Sequence, residues 1–323
     1  MLLRAHPEER SPRWLVHAGL LALAILCTLG AGAALAGVWT PWTGDGLAGV
    51  ITGMGRFFTG FLQGDWQLFL QGWSFAIPLL AILLVHESGH YFAARRYVID
   101  VSPPFFLPLP PTISPIGTLG AFIRMRSPVL DRRQLLDVGA AGPLAGFVVA
   151  LAVLVWGYAV STAAPVPAGL EHGAGVASWV SFAGEPIGLG DSILTRVIRL
   201  AFFPHAPAVH LSLPAFAGWV GAFITGLNLL PLSQLDGGHI LYGVLGRHQR
   251  VVAGAAVIGL LVLAQRSPHW YVWVVLTFLI GGGRWTHPAV VMPDRPVPAS
   301  RRWIGIASGA VFILTFLPVP FAF

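Results

Sequence analysis

The sequence has no lysine and few charged residues of any kind. All 19 basic residues are arginine, 13 residues are acidic, and charged residues make up only 10% of the 323-residue chain. Hydrophobic residues make up 55%, and the mean hydropathy is +0.74. This composition excludes an ordinary soluble domain and is typical of a protein that crosses a membrane several times.

A single cysteine, Cys27, excludes an internal disulfide. The net charge of +6 does not predict a nucleic-acid partner, because the arginines are dispersed among loops and are not patterned with aromatic residues on one face. We find no repeat of fixed period. These absences leave the lipid bilayer as the expected environment of the chain.

Apolar runs predict an all-α polytopic fold with six or seven transmembrane helices. The first run follows arginines and exceeds twenty residues, which is too long for a signal peptide, so we expect a retained anchor. The fourth, fifth and sixth runs are short, and the fourth breaks between Asn228 and Pro231. The predicted spans are residues 15–39, 73–92, 135–160, 215–230, 251–265, 270–283 and 303–321.

The arginines predict an orientation, because cytoplasmic loops carry an excess of positive charge. One arrangement of the seven spans places 15 arginines inside, including Arg4, Arg10 and Arg13, and leaves only 4 outside. In this arrangement the second span enters from outside and ends at the cytoplasmic side. The fourth span approaches the same side near Pro231.

Two segments between spans have distinct patterns. Residues 101–127 contain six prolines and two glycines, which argue against a helix, and alternation at 118–123 predicts a short strand or a small membrane-associated β hairpin. A proline-stiffened connector is the alternative. Residues 161–210 are predicted to form a polar, glycine-rich external loop with an interfacial helix near 191–203.

The motif HESGH at residues 86–90 lies at the end of the uncharged run WSFAIPLLAILLV. Ionisable side chains at that depth are costly and indicate a functional site. His86 and His90 are four residues apart and share a helical face, so both imidazoles can bind one zinc ion while Glu87 acts as a base. Two histidines bonded within a helix bundle are the alternative.

A catalytic zinc needs a third protein ligand. Asp236 is the best candidate, because it is the only carboxylate in the long, largely apolar stretch from Ile193 to Ala264. His239 is a rival ligand, although a supporting hydrogen bond is the favoured role for it. Asp236 could also cap the helix that follows it.

HESGH together with NLLPLSQLDGGH at 228–239 resembles the paired motifs of the site-2 protease family of intramembrane zinc metalloproteases. GTLGAF at 117–122 is similar to the family's membrane-associated β element, and AGPLAG at 141–146 resembles its glycine motif. The stretch from 213 to 246 is similar to the branch with chloroplast and cyanobacterial relatives, which lacks a PDZ insert. The resemblance covers residues 73–239, with weaker similarity to the C-terminus.

The resemblance implies that His86, His90 and Asp236 bind one Zn²⁺ ion, that Glu87 is the general base, and that Asn228 lies near the scissile carbonyl. It also implies that the β element and the glycine motif contact substrate. Simple helix packing is an open alternative for the glycine motif, and many relatives carry a different residue at position 146. The residues concerned are Gly117, Thr118, Leu119, Gly120, Gly142, Pro143 and Gly146.

The expected organisation is an N-terminal anchor helix and external loop (1–72), a catalytic core (73–239) and C-terminal transmembrane helices (240–323). The expected function is an intramembrane zinc metalloendopeptidase that cleaves transmembrane segments of membrane-anchored proteins, including substrates that another protease has already cut. A membrane transporter and a non-catalytic zinc-binding scaffold are the alternatives. The expected location is a bacterial inner membrane, with the active site toward the cytoplasm.

Overall fold

The computed structural model describes residues 13–42, 46–170 and 176–322, and in these ranges the chain is mostly helical with two small sheets. Arg4 and Arg10, on which the predicted orientation partly depends, lie outside the described residues. The helices are α1 Trp14–Leu35, α2 Gly46–Gln63, α3 Trp66–Leu70, α4 Trp73–Arg96, α5 Arg132–Ala159, α6 Ile193–Phe202, α7 Leu213–Asn228, α8 Asp236–Leu245, α9 Gln249–Ala264, α10 His269–Ile280 and α11 Arg302–Thr315.

The seven predicted spans coincide with α1, α4, α5, α7, α9, α10 and α11. Four described segments are long and apolar enough to cross a membrane: Trp14–Leu35, Trp73–Arg96, Arg132–Ala159 and Asp236–Ala264. The last of these joins α8 to α9 through a 3₁₀ turn at Gly246–His248. Leu213–Asn228 and His269–Ile280 are apolar but shorter. The chain is therefore an integral membrane protein with at least these four long apolar segments.

Helices α4, α5, α7 and α8 pack together and form the centre of the molecule. Two of them have side-chain caps, since Asp131 accepts a hydrogen bond from the backbone of Gln134 and Ser212 accepts one from Ala215. Buried side chains such as Leu79, Leu154 and Trp219 fill the space between the helices. These helices hold most of the residues that the sequence predicts for the site.

The predicted hairpin is present. Strand β1, Phe105–Pro108, pairs antiparallel with β2, Thr118–Phe122, with Phe105 opposite Phe122 and Phe106 opposite Ala121. Backbone bonds between residues 100–102 and 124–126 extend the pairing past the strand ends. The hairpin packs against α1, where His17 Nδ1 lies 3.1 Å from the Pro104 carbonyl oxygen. The prolines therefore shape a hairpin and not only a connector.

The prediction of an external loop at 161–210 is incomplete. The expected interfacial helix is α6, but the described part of this segment also forms four strands: β3 Thr162–Ala164, β4 Ser178–Phe182, β5 Glu185–Leu189 and β6 Ala208–His210. With β7, Phe321–Ala322, they make a five-stranded sheet in the order β3-β6-β4-β5-β7. The fold is therefore not all-α. The strands have two to five residues, and apart from the local pair β4–β5 they pair with distant segments, so local alternation does not reveal the sheet.

Residues 40–72, predicted as an external loop, contain α2 and α3. Helix α2 buries Gly49, Gly53 and Gly60 together with Phe57, and leaves other large residues such as Ile51 and Leu62 exposed. The glycines concealed the helix in the sequence, because glycine is a poor helix former.

Candidate metal centre

His86 and His90 lie near the C-terminal end of α4 and are both buried. Their spacing of four residues places the imidazoles on one face of the helix, where they meet edge to face with ring centroids 4.9 Å apart. His90 Nδ1 lies 2.7 Å from the carbonyl oxygen of Val138 on α5, which fixes the ring and turns its Nε2 toward His86. A second polar partner of this kind is usual for a histidine that binds a metal.

Asp236 completes a group of three converging donor atoms. The Nε2 atoms of His86 and His90 are 3.2 Å apart, and they lie 3.2 Å and 3.3 Å from the two carboxylate oxygens of Asp236. A tetrahedral zinc ion with bonds of about 2.0–2.2 Å holds its ligand atoms roughly 3.3–3.5 Å apart. His86, His90 and Asp236 are accordingly the one group among the described residues that could hold a metal ion.

The donor chemistry also fits a cation. The Val138 carbonyl oxygen can only accept, so His90 Nδ1 carries the proton and the Nε2 of the neutral ring is a bare lone pair. That lone pair faces a second imidazole nitrogen and a carboxylate oxygen. Such acceptors repel one another unless a positive charge lies between them. The three residues therefore fit a zinc ion in both spacing and charge.

Asp236 is the first residue of α8, and Leu235 occupies the N-cap position without a side-chain cap bond. The alternative of a capping aspartate is therefore wrong, because the carboxylate turns to the histidines of α4 instead. His239, the rival ligand, lies one helical turn later, and its Nδ1 is 2.8 Å from Nε2 of His287. Its role as a hydrogen-bonding residue agrees with the interpretation that the sequence favoured.

Glu87 is buried beside the three donor atoms, with its Oε1 4.0 Å from Nε2 of His86. The backbone N–H of Ile123, just after β2, faces the Glu87 carboxylate. Asn228, the last residue of α7, places its Nδ2 atom 3.4 Å from Nε2 of His86. Glu87 of α4 and Asn228 of α7 therefore approach the metal-binding group from two sides. The Glu87 carboxylate is not itself one of the three donors.

A cavity of about 420 Å³ opens beside this group. One wall is formed by residues 121–125 at the end of the hairpin, and another by Asn228, residues 234–236 and His239. His86, Glu87, His90 and Val138 form the remainder of the lining. The cavity thus lies between the hairpin and the start of α8.

Close contact between α4 and α5 shapes the site. A β-carbon on Gly142 would lie 2.1 Å from Nε2 of His90, and one on Gly146 would lie 3.0 Å from Cβ of His86. Pro143 is buried within α5 between them. The glycine motif therefore leaves room for the two imidazoles.

The comparison with known families agrees with this arrangement. The model of peptidase family M50 matches residues 74–264, more than half of the chain. The chain belongs to peptidase family M50. Both the pair of histidines on α4 and the Asp236 region of α8 lie inside the matched range.

The chain is also similar to plant proteins whose names describe them as chloroplastic. The chain is 29% identical over 260 residues to "Probable zinc metalloprotease EGY2, chloroplastic" of Arabidopsis thaliana, covering 80% of this chain and 44% of that protein. It is 33% identical over 187 residues to "Probable zinc metalloprotease EGY1, chloroplastic" of Oryza sativa subsp. japonica, covering 57% and 30%. The chain thus spans less than half the length of these relatives. No solved structure matches it.

In this M50 chain, the seven residues predicted to contact substrate do not line the cavity. Gly142, Pro143 and Gly146 pack at the α4–α5 contact, as described above. On the hairpin, Gly117 packs against the backbone of Cys27, and the Thr118 hydroxyl donates to the Leu107 carbonyl. Leu119 is exposed, and Gly120 has open space at the position of a β-carbon. Their role in substrate binding stays a prediction.

Sequence reasoning missed the residues that do form the hairpin wall, which are 121–125, and the contact between His239 and His287. The alternation at 118–123 was a signal for the strand, but not for which part of it meets the cavity. His287 lies in the irregular segment between α10 and α11, and no motif or periodicity pointed to it.

Proposed function

We propose that this chain is an intramembrane zinc metalloendopeptidase that cleaves transmembrane segments of membrane-anchored proteins. The observation that carries the proposal is the convergence of His86, His90 and Asp236 within 3.3 Å of one another, with Glu87 beside them, at a cavity in a bundle of membrane helices. The M50 match supports the same activity, as do the names of the plant relatives, which are probable zinc metalloproteases.

His86, His90 and Asp236 would hold one Zn²⁺ ion. When bound, zinc supplies Lewis acidity that makes water a better nucleophile near neutral pH and polarises a peptide carbonyl. Glu87 lies beside the three donor residues and is not one of them. Its carboxylate would therefore accept the proton of the attacking water and pass it to the nitrogen of the leaving amine.

Asn228 would donate a hydrogen bond from Nδ2 to the substrate carbonyl, whose oxygen gains negative charge during attack. A transmembrane helix hides its peptide bonds, so the substrate must unwind locally before it is cut. The hairpin wall at 121–125 supports pairing with the unwound segment, by addition of a strand to an exposed edge. Gly117, Thr118, Leu119 and Gly120 would contribute to the same surface, and Gly142, Pro143 and Gly146 would act by shaping it.

The proposal includes six or seven transmembrane helices in a bacterial inner membrane, with the site toward the cytoplasm. The arginine distribution supports this orientation, since Arg95 and Arg96 end α4 and Arg132 and Arg133 begin α5, close to the metal-binding group. The partners would be the lipid bilayer and a transmembrane protein, including one already shortened by another protease.

The test compares the wild-type protein with Glu87→Gln in lipid vesicles that also contain tagged single-span proteins with helix-weakening residues at mid-span. Wild type should release fragments cut within the span, and Glu87→Gln should cut roughly 10²–10⁴-fold more slowly while keeping one zinc per chain. The matched control is Glu185→Gln, because Glu185 is exposed in the distant five-stranded sheet.

The alternatives predict different results. Equal cleavage by wild type and Glu87→Gln would exclude the proposed base. Zinc retention without cleavage of any tested protein would support a scaffold, and zinc movement across the vesicle membrane would support a transporter.

A further inference from the structure

Two histidines outside the three-atom group form a hydrogen-bonded pair beside the cavity. His239 lies on α8, one turn after Asp236, and His287 lies in the segment between α10 and α11. His239 Nδ1 and His287 Nε2 are 2.8 Å apart, although the residues are 48 positions apart in the chain. His239 lines the cavity, whereas His287 does not.

The partners of His287 determine where the protons lie in this pair. His287 Nδ1 bonds the carbonyl oxygen of Pro288, which can only accept, so Nδ1 carries a proton. Burial lowers the pKa of His287 below its ordinary value, and the ring is therefore neutral near pH 7. Its Nε2 then accepts, and His239 Nδ1 must donate. His239 is left with an unprotonated Nε2.

The surroundings of His287 hold it in place. Gln249 accepts a hydrogen bond from the backbone N–H of His287 at 3.2 Å and donates from its own side chain to the Pro231 carbonyl at 3.3 Å. The ring of Tyr242 lies against the His287 ring, with centroids 4.8 Å apart. The orientation of His287, and with it the tautomer of His239, is thus determined by α8, α9 and the start of the Pro231 segment.

The unprotonated Nε2 of His239 is a hydrogen-bond acceptor beside the cavity, where a bound peptide would need one. A peptide in extended conformation presents its N–H groups alternately on two edges. The hairpin wall at 121–125 can pair with one edge, while the start of α8, where His239 lies, forms another wall of the same cavity. N–H groups on the second edge need an acceptor there, because water is scarce at membrane depth.

We propose that His239 accepts a hydrogen bond through Nε2 from a backbone N–H of the bound substrate, and that His287 is a positioning residue that keeps this nitrogen unprotonated. The inference rests on the proposed function, since it assigns a contact to the substrate of that site. It differs from the alternative of His239 as a metal ligand, because Nδ1 is engaged by His287 and the three-atom group is complete without it.

The first experiment measures cleavage of a synthetic single-span peptide in lipid vesicles by wild type, His239→Phe, His287→Phe, His239→Gln and the double variant His239→Gln/His287→Phe. Glutamine places an amide oxygen near the position of Nε2 and needs no tautomer to accept. We expect kcat/KM to fall about tenfold in His239→Phe and in His287→Phe, the equivalent of about one hydrogen bond. In the His239→Gln background, the His287→Phe change should have no further effect.

His248→Phe is the matched control, because His248 is exposed and bonds only a nearby backbone carbonyl among the described residues. Zinc content should be unchanged in every variant. Loss of zinc in His239→Phe would overturn the inference in favour of a metal ligand. If His287→Phe lowers kcat/KM equally in the wild-type and His239→Gln backgrounds, His287 contributes only packing, and its positioning role is overturned.

The second experiment identifies the substrate group. The peptide is made with single ester bonds in place of amides around the cleaved position, so that each version lacks one N–H. One ester should weaken cleavage by wild type but not by His239→Phe. If every ester affects both proteins equally, the proposed contact is wrong.

A third measurement needs no cleavage. Solid-state nitrogen NMR of ¹⁵N-histidine-labelled protein in lipid should show His239 neutral with its proton on Nδ1 and its Nε2 bare, and His287→Phe should convert part of it to the other tautomer. A proton on Nε2 in wild type would overturn the inference. If the wild type cuts no peptide at all, the proposed function fails, and the NMR result still decides the proton positions.

Discussion

Gly142 of α5 lies against the imidazole of His90 so closely that a β-carbon there would stand 2.1 Å from Nε2. Helices α4 and α5 can approach this closely because Gly142 has no side chain. Almost any other residue at this position would displace the His90 ring. The glycine motif resembled a substrate-contact element in the sequence. In the structure it forms the surface against which the histidines of α4 lie.

Gly142→Ala should therefore displace His90 and weaken metal binding by roughly 10–100-fold, as occurs when the supports of metal ligands are removed. Zinc content after equilibrium dialysis measures the change. Gly254→Ala is the control, because Gly254 lies on α9 with open space at the β-carbon position and should keep full zinc content. Equal zinc binding by both variants would contradict the contact.

Metal removal should lower the stability of the folded protein. A ligand that binds only the folded protein adds about 2.7 kcal/mol to the free energy of unfolding when present at 100 times its Kd. We expect a strong zinc chelator to lower the Tm in detergent, and zinc to restore it. Asp236→Ala should show a low Tm that neither treatment changes. A wild-type Tm that is indifferent to chelator would argue against a resident metal.

Asn228→Ala should lower kcat without loss of zinc. Removal of one donor to a developing oxyanion costs about 10²–10³-fold in kcat in well-studied hydrolases. Gln234→Ala provides the matched control, since Gln234 is an exposed amide that lines the same cavity. A similar small effect of both substitutions would show that Asn228 has no special part in the reaction.

Asp131 and Arg295 should contribute unequally to stability, although they form one ion pair of 2.9 Å. The Asp131 side chain is 4% exposed and also caps α5 through the backbone N–H of Gln134, whereas the Arg295 side chain is 61% exposed. Asp131→Ala should cost about 1–2 kcal/mol and Arg295→Ala less than about 1 kcal/mol. Chemical denaturation in detergent, followed by tryptophan fluorescence, measures both values. Equal losses would mean that the ion pair, and not the cap, dominates.

The parts of the site that follow from local rules were visible in the sequence. A spacing of four residues places His86 and His90 on one helical face wherever the helix lies, and a lone carboxylate in an apolar stretch, Asp236, needs a partner. The seven apolar runs predicted the helices to within a few residues at most boundaries. The hairpin at 105–122 was partly visible through its alternation.

The remaining parts depend on contacts between distant segments. Strand β7 comes from the last described residues and pairs with β5, and β6 joins both β3 and β4, so of this sheet only the β4–β5 hairpin is a local unit. His287 lies in an irregular segment, and only its contact with His239 on α8 shows that it belongs to the site. The role of Gly142 depends on the contact of α5 with His90 on α4. Sequence reasoning therefore found the residues with unusual chemistry, but not those whose importance comes from their neighbours.

The separation of His86 from Asp236 has a consequence for the timing of synthesis. The two residues are 150 positions apart. At about 5–20 residues per second, a ribosome needs roughly 8–30 s to pass from one to the other. The end of α4 and the whole of α5 are made within that interval, and the third donor is made only at its end. The proposed metal site of a newly made chain is thus incomplete until α8 has left the ribosome.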